Sequence, residues 1–100
     1  MRKIDVSPYQ TANGSFNVRA SLVSILFMED RLPPREVLAR DTIAHRVETT
    51  ESDTLLLEES DYSKFVSGLN ASDLKPFGRE VVEFIRRVLD APEVDVQERA

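Results

Sequence analysis

The residues from Arg79 to Asp90 carry the apolar pattern that most constrains how this chain can fold. Apolar side chains recur there at helical spacing, and they are Val81, Val82, Phe84, Ile85, Val88 and Leu89. A stripe this wide predicts an α-helix at the centre of a hydrophobic core. Pro92 follows closely and prevents the helix from continuing.

The preceding stretch predicts a short strand and a second helix. Thr54–Leu57 is apolar and bounded by polar clusters, which favours a buried strand, although three leucines could also begin a helix. Ser60 is the expected cap of a helix that ends at Asn70. Its inward stripe is Tyr62, Phe65, Val66 and Leu69. Gly68 should weaken this helix by up to ~1 kcal/mol relative to alanine.

Residues 1–19 predict a β-hairpin. Lys3–Val6 and Ser15–Val18 both alternate between apolar and polar residues, and Asn13-Gly14 between them is a strong turn signal. Ile4 and Val6 would share one side of the first strand, as Phe16 and Val18 would of the second. Because a two-stranded hairpin is marginal alone, it should dock on the rest of the chain.

Residues 20–48 predict two helices separated by Pro33 and Pro34. The first begins near Ala20 with Ser21 as its cap, and it turns Leu22, Ile25 and Leu26 inward. The second runs from Pro34 to Val47. Its expected inward residues are Val37, Leu38, Ile43, Ala44 and Val47, and its expected solvated residues include Arg35, Arg40 and Arg46.

The final residues, 93–100, alternate again from Glu93 to Val96. They could form a last strand paired with the first hairpin, or an extended tail offered to a partner. A chain of 100 residues is long enough for one modest core. The predicted fold is therefore a single small α+β domain, with an amino-terminal hairpin and a short strand packed on about four helices.

Composition excludes several classes of function. The chain has no cysteine, so it can form neither disulfides nor thiolate metal sites, as suits a reducing cytoplasm. No apolar run is long enough to span a bilayer, and no apolar segment follows the basic residues near the start, so we expect neither a membrane anchor nor a secretory signal. The net charge is −5, and residues 51–100 hold the acidic excess, which disfavours binding to nucleic acid.

Catalytic and metal-binding patterns are weak. His45 is the only histidine, and the three glycines are too few for a phosphate-binding loop. The acidic cluster Glu58, Glu59 and Asp61 could hold a weakly bound cation, but acids at the start of a helix also stabilise its dipole. The sequence therefore predicts no enzyme, cofactor, metal or small-molecule substrate.

Apolar surface is the remaining candidate for function. The apolar residues could all fill one core, or some could serve a protein partner or self-association. The expected partner-binding residues are Ile4, Val6, Phe16, Val18, Val94, Val96, Arg79 and Arg86. The alternative is a small regulator that binds a host protein or nucleic acid through Arg35, Arg40, Arg79, Arg86 and Arg87.

The order of several short motifs prompts a comparison with a family. Leu55-Leu56-Leu57-Glu58-Glu59 and Asp61-Tyr62 are followed by Phe77-Gly78-Arg79 and by the segment from Val82 to Val94. Together they resemble small accessory proteins of tailed bacteriophages and prophages. The resemblance implies a non-enzymatic protein that binds other proteins in the bacterial host cytoplasm. It also implies a role in head or tail morphogenesis and incorporation into the virion.

Overall fold

The computed structural model describes residues 1–94, apart from the side chains of residues 75–77. Within them the chain is a small α+β domain, which confirms the predicted fold class. The elements, in chain order, are β1 (Arg2–Asp5), β2 (Tyr9–Thr11), β3 (Gly14–Phe16), α1 (Val18–Leu26), α2 (Pro34–Thr49), β4 (Thr54–Leu57), α3 (Glu59–Ala71), a 3-10 helix (Lys75–Val81) and α4 (Val82–Leu89).

The first strand, β1, pairs on both of its edges. It runs antiparallel to β4, with Ile4 opposite Leu55. On its other edge the backbone N–H of Lys3 donates to the carbonyl of Pro92 at 3.0 Å. The predicted pairing of Lys3–Val6 with Ser15–Val18 is therefore wrong. Of the two alternatives for the final segment, pairing with the amino-terminal strand within one chain occurs at residues 92–94, and residues 95–100 lie outside the described residues.

The predicted turn at Asn13-Gly14 is confirmed, but the hairpin around it is shorter than expected. It joins β2 to β3, with Tyr9 opposite Phe16 and Thr11 opposite Gly14. Gly14 has a φ of 113°, a conformation that favours glycine. Because this turn pairs the residues immediately beside it, the earlier strand is left free to pair with β4.

Helix α1 begins earlier than predicted. Asn17 is its cap, because its side-chain oxygen accepts a hydrogen bond from the N–H of Ala20 at 3.0 Å. Ser21, the predicted cap, lies inside the helix and donates its hydroxyl to the carbonyl of Asn17 at 3.0 Å. Val18 is consequently helical and buried rather than the end of a strand.

Helix α2 begins at Pro34 as predicted, and Ile43, Ala44 and Val47 are buried as predicted, but the first half of the helix differs from the prediction. Val37 and Leu38, predicted to be buried, are 39% and 69% exposed. Arg40, predicted to face solvent, is 3% exposed. Its guanidinium donates to the carbonyl of Leu26 at 2.8 Å, which places it at the junction of α1 and α2. The guanidinium also donates to the carboxylates of Glu36 and Glu29. These hydrogen bonds offset the free energy that is lost when the charged group leaves water.

Helix α3 crosses α1 closely at Gly68. A Cβ atom built on Gly68 would lie 1.9 Å from the backbone oxygen of Ile25. The helix starts at Glu59 after Glu58, which makes no side-chain capping hydrogen bond, so the predicted cap at Ser60 is wrong. The predicted stripe of α3 is largely buried, with Phe65 fully enclosed.

The contacts of two glutamates at the junction of α1, α2 and α3 should make the free energy of unfolding depend on pH. The hydroxyl of Ser67 and then Arg40 hydrogen-bond to Glu29 and lower its pKa. Lys64 and then Arg40 lower the pKa of Glu36 in the same way. Unfolded glutamates take up protons near pH 4, before the folded ones do. The stabilisation is therefore complete above about pH 5 and is lost as the pH falls through the lowered pKa values.

Urea unfolding at a series of pH values measures this effect. We expect the free energy of unfolding to fall from about pH 5 to about pH 3, and to fall less steeply in the Glu36→Gln variant. An equal slope in the wild type and in Glu36→Gln would contradict the assignment to Glu36.

Candidate protein-binding face on helix α4

Helix α4 carries one wide apolar stripe, and only part of that stripe faces the core. Phe84 and Val88 are buried, whereas Val82 and Leu89 are 47% and 45% exposed. Ile85 is partly buried between them. Of the two alternatives left open by the sequence, that all the apolar residues fill one core does not hold for this helix. Val82 and Leu89 are seven residues apart, which is two helical turns, and lie on one side of α4.

Two exposed arginines, Arg79 and Arg86, lie along this exposed side. We call the surface formed by Arg79, Val82, Ile85, Arg86 and Leu89 the outer face of α4. Arg86 lies between Val82 and Leu89 in the helix, and its side chain is 64% exposed. Its Nη1 atom is 3.7 Å from Glu83, a loose ion pair. Arg79 lies just before the helix and is also exposed. The outer face is thus apolar along its length, with cations at its middle and at one end.

A trough separates the start of α4 from the hairpin. It has a volume of about 550 Å³. Its walls are β2 with the residue that follows it, and one side of α4 with the end of the 3-10 helix. The lining residues are Tyr9, Gln10, Thr11, Ala12, Arg79, Glu80, Val82, Glu83, Arg86 and Arg87. The trough and the outer face of α4 therefore share Arg79, Val82 and Arg86.

Tyr9 holds the hairpin on the start of α4. Its hydroxyl donates to the carbonyl of Glu80 at 2.5 Å and accepts from the N–H of Phe84 at 3.1 Å. Its ring stacks on Phe16 at 4.9 Å between centroids. Burial raises the pKa of the Tyr9 hydroxyl, so it stays protonated and can donate at neutral pH. One wall of the trough is therefore fixed relative to the other.

The side chain of Arg87 is fully engaged in contacts within the chain. Its guanidinium donates to Glu83 at 3.0 Å and to the carbonyl of Ser7 at 2.6 Å. It also lies over the ring of Tyr9 at 5.0 Å, and its side chain is only 15% exposed. Arg87 therefore braces the trough and leaves Arg79 and Arg86 as its accessible cations.

Several residues predicted to bind a partner lie elsewhere. Ile4, Val6 and Val18 are 0%, 0% and 1% exposed, so they belong to the core and offer no surface. The prediction for these residues was wrong because an alternating pattern does not reveal whether the apolar side of a strand faces the core or a partner. Phe16 is partly buried between Tyr9 and Phe84. The N–H of Val94 donates to the carbonyl of Met1, and Val96 lies outside the described residues.

A second concave surface lies between α1 and the segment that leads into α4. It has a volume of about 240 Å³. It is lined by uncharged residues: Phe16, Asn17, Ala20, Ser21, Ser24, Ile25, Met28, Leu74, Val81 and Phe84. Phe16 is the one predicted partner-binding residue that reaches it.

Two of the three acids in the acidic cluster are engaged in ion pairs. Glu59 accepts from Arg2 at 2.6 Å, and Asp61 lies 3.5 Å from Arg46, so these acids form ion pairs between elements. Glu58 precedes α3, and His45 is exposed on α2. Among residues 1–94, no three histidine or acidic side chains are grouped as metal binding requires.

The five arginines of the nucleic-acid alternative do not form one cationic surface. Arg40 is buried and Arg87 is bound to Glu83 and to backbone carbonyls, so neither can contact a phosphate chain. Arg35 lies on α2 and does not line the trough. Only Arg79 and Arg86 are both exposed and adjacent to one concave surface.

None of the helices within residues 1–94 combines the length and the apolar character that crossing a bilayer requires. Comparison of the chain with family models, with curated proteins and with solved structures finds no match.

Proposed function

We propose that the protein is non-enzymatic and acts by binding another protein through the outer face of α4. The observation that carries this proposal is the exposure of Val82 and Leu89, at 47% and 45%, at the edge of an apolar stripe that the core covers only in part. Exposed apolar side chains that continue a buried stripe are typical of a surface that another protein covers. The partner would cover this edge.

The make-up of the outer face supports this proposal. The centres of protein interfaces are rich in apolar residues and arginine and poor in lysine and acidic residues. Val82, Ile85 and Leu89 supply the apolar part, and Arg79 and Arg86 supply the arginines. Arginine is also among the residues whose truncation most weakens binding. These are the two arginines that the sequence pattern singles out.

The proposed setting is particle assembly in a tailed bacteriophage or prophage, in the cytoplasm of a bacterial host, with incorporation into the virion. Its support is the sequence resemblance to small phage accessory proteins. Two of the four segments that carry this resemblance, Phe77-Gly78-Arg79 and Val82 to Val94, include every residue of the outer face. The same short region thus carries the resemblance and the exposed apolar side chains.

Quantitative affinity capture from an infected or prophage-induced host lysate tests the proposal. The Val82→Glu/Leu89→Glu double variant places two charges on the outer face, where a partner would have to bury them unpaired. We expect a specific captured protein to be reduced by about tenfold or more, a loss that corresponds to ~1.4 kcal/mol of binding free energy.

Leu38→Glu is the matched control, because Leu38 is 69% exposed on α2 and lies outside the outer face. It should leave capture unchanged. If all three proteins capture the same set in equal amounts, or if the wild type captures nothing, the proposal is wrong. Wild-type and double-variant proteins should share one far-UV circular dichroism spectrum, which excludes unfolding as the cause of a loss.

A further inference from the structure

We propose that the trough between β2 and α4 binds an extended, acidic segment of the partner protein. This inference rests on the proposed function and deepens it, because the trough shares Arg79, Val82 and Arg86 with the outer face. It concerns the chemistry of the bound segment, whereas the proposed function concerns only where the partner sits.

The first wall of the trough is suited to an extended chain. β3 pairs with one edge of β2, and within the described residues no strand pairs with the other edge. Consecutive residues, Gln10, Thr11 and Ala12, line the trough. A strand presents alternate side chains on a face but consecutive backbone groups at an edge. The trough therefore runs along the open edge of β2, where an added strand can form backbone hydrogen bonds.

The second wall carries cations whose nearby carboxylates are already engaged. Glu83 accepts from Arg87 at 3.0 Å, and Glu80 accepts from the side-chain amide of Asn13. Arg86 is held loosely, at 3.7 Å from Glu83. Within the described residues, the side chain of Arg79 makes neither a hydrogen bond nor an ion pair with an acid. Additional carboxylates for Arg79 and Arg86 would therefore come from a partner, and this charge complementarity selects an acidic occupant.

The spacing on the second wall suits two acidic residues with an apolar residue midway between them. Arg79 and Arg86 are seven residues apart, which is roughly 11 Å along a helix axis, and Val82 lies between them. In an extended chain the side chains on one side recur at every second residue, so positions i, i+2 and i+4 span roughly 13 Å. Acids at i and i+4 can then pair with the arginines while an apolar side chain at i+2 meets Val82.

A synthetic peptide tests this inference on the intact protein. The probe is the acetylated and amidated peptide Ser-Glu-Ser-Val-Ser-Glu-Ser, titrated into the ¹⁵N-labelled protein and followed by amide chemical shifts. We expect shifts at Gln10, Thr11 and Val82, and binding that weakens several-fold as salt rises from about 50 to about 300 mM. The Arg79→Glu/Arg86→Glu variant should bind about tenfold or more weakly.

Two controls separate a site from general charge attraction. Arg31→Glu/Arg35→Glu changes the net charge by the same amount at two exposed arginines outside the trough and should leave the affinity unchanged. A peptide with lysine in place of glutamate should not bind. Equal weakening by both double variants, binding of the lysine peptide, or shifts confined to another surface would each overturn the inference.

Two other occupants would also overturn it. Tighter binding of a single-stranded oligonucleotide than of the acidic peptide, lost in the Arg79→Glu/Arg86→Glu variant, would assign the trough to nucleic acid. A concentration-dependent dimer in light scattering that the same variant abolishes would assign it to a second copy of this chain. If Val82→Glu/Leu89→Glu still prevents partner capture while the acidic peptide fails to bind, the proposed function stands and the inference alone is wrong.

Discussion

Replacing Gly68 by alanine is expected to destabilise the domain by about 3 kcal/mol or more, because it overpacks the crossing of α1 and α3. The new Cβ would lie 1.9 Å from the carbonyl oxygen and 2.8 Å from the carbonyl carbon of Ile25. Both are backbone atoms of a helix, so no side chain can rotate to relieve the contact. The two helices would have to separate, which would expose Phe65 and Leu22 to water.

The sign of this effect is what makes it informative. Helix propensity alone predicts that Gly68→Ala stabilises α3 by up to ~1 kcal/mol. Urea unfolding followed by circular dichroism distinguishes the two expectations. Asn70→Ala is the control, since Asn70 is exposed in the same helix, and it should change the free energy of unfolding by no more than ~0.5 kcal/mol. A stabilised Gly68→Ala variant would mean that the two helices do not meet at this glycine.

Gly68 also illustrates what the sequence could reveal of the fold. The apolar stripe from Tyr62 to Leu69 predicts helix α3 because its period is local. The close approach of Ile25 to Gly68 joins residues that are 43 positions apart, and no local pattern records it. A glycine that weakens a helix and a glycine that permits a crossing look identical in the sequence.

Strand pairing was unpredictable for a related reason. The turn at Asn13-Gly14 and the strand Thr54–Leu57 follow from local residues, and both are confirmed. The partner of β1 is β4, which lies about 50 residues away, and apolar alternation fits this pairing as well as it fits a hairpin. The short hairpin formed instead because a tight turn pairs only the residues beside it.

The candidate site could be predicted only in part. Arg79 and Arg86 were expected at a binding surface, whereas the apolar pattern left open whether Val82 and Leu89 fill the core or lie at the surface, where both are found. The apolar pattern shows that α4 has a wide stripe, but the width of the core that receives it depends on how β1 and the hairpin pack. Residues 79–81, predicted to begin the last helix, form the end of the 3-10 helix, so that α4 itself begins at Val82.

Replacing Arg40 by alanine is expected to destabilise the domain by roughly 3 kcal/mol, the lower end of the range for breaking a buried charge pair. The side chain of Arg40 is 4% exposed, and its guanidinium joins three groups: the carbonyl of Leu26, Glu29 and Glu36. Removing it leaves that carbonyl without its donor. The two glutamates keep partial contact with water, at 22% and 29% exposure, which limits the cost.

Three further variants separate charge, geometry and volume at this position. Arg35→Ala removes an exposed arginine from the same helix and should change stability by no more than ~0.5 kcal/mol. Arg40→Lys keeps the charge but cannot reproduce the guanidinium fork, so it should recover only part of the loss. Arg40→Met keeps most of the volume. If Arg40→Met were as stable as the wild type, packing rather than hydrogen bonding would be the role of this residue.

The pH dependence of Arg40→Ala shows how much of the effect comes from the two carboxylates. Arg40 contributes to the lowered pKa of both Glu29 and Glu36, after Ser67 and Lys64 respectively. Removing it should move both pKa values back toward the unfolded range, so the variant should lose less stability than the wild type between about pH 5 and about pH 3. The destabilisation by Arg40→Ala should therefore be largest at neutral pH and smaller in acid. A constant difference across that range would show that the carboxylates do not depend on Arg40, and that its bond to the carbonyl of Leu26 carries the effect.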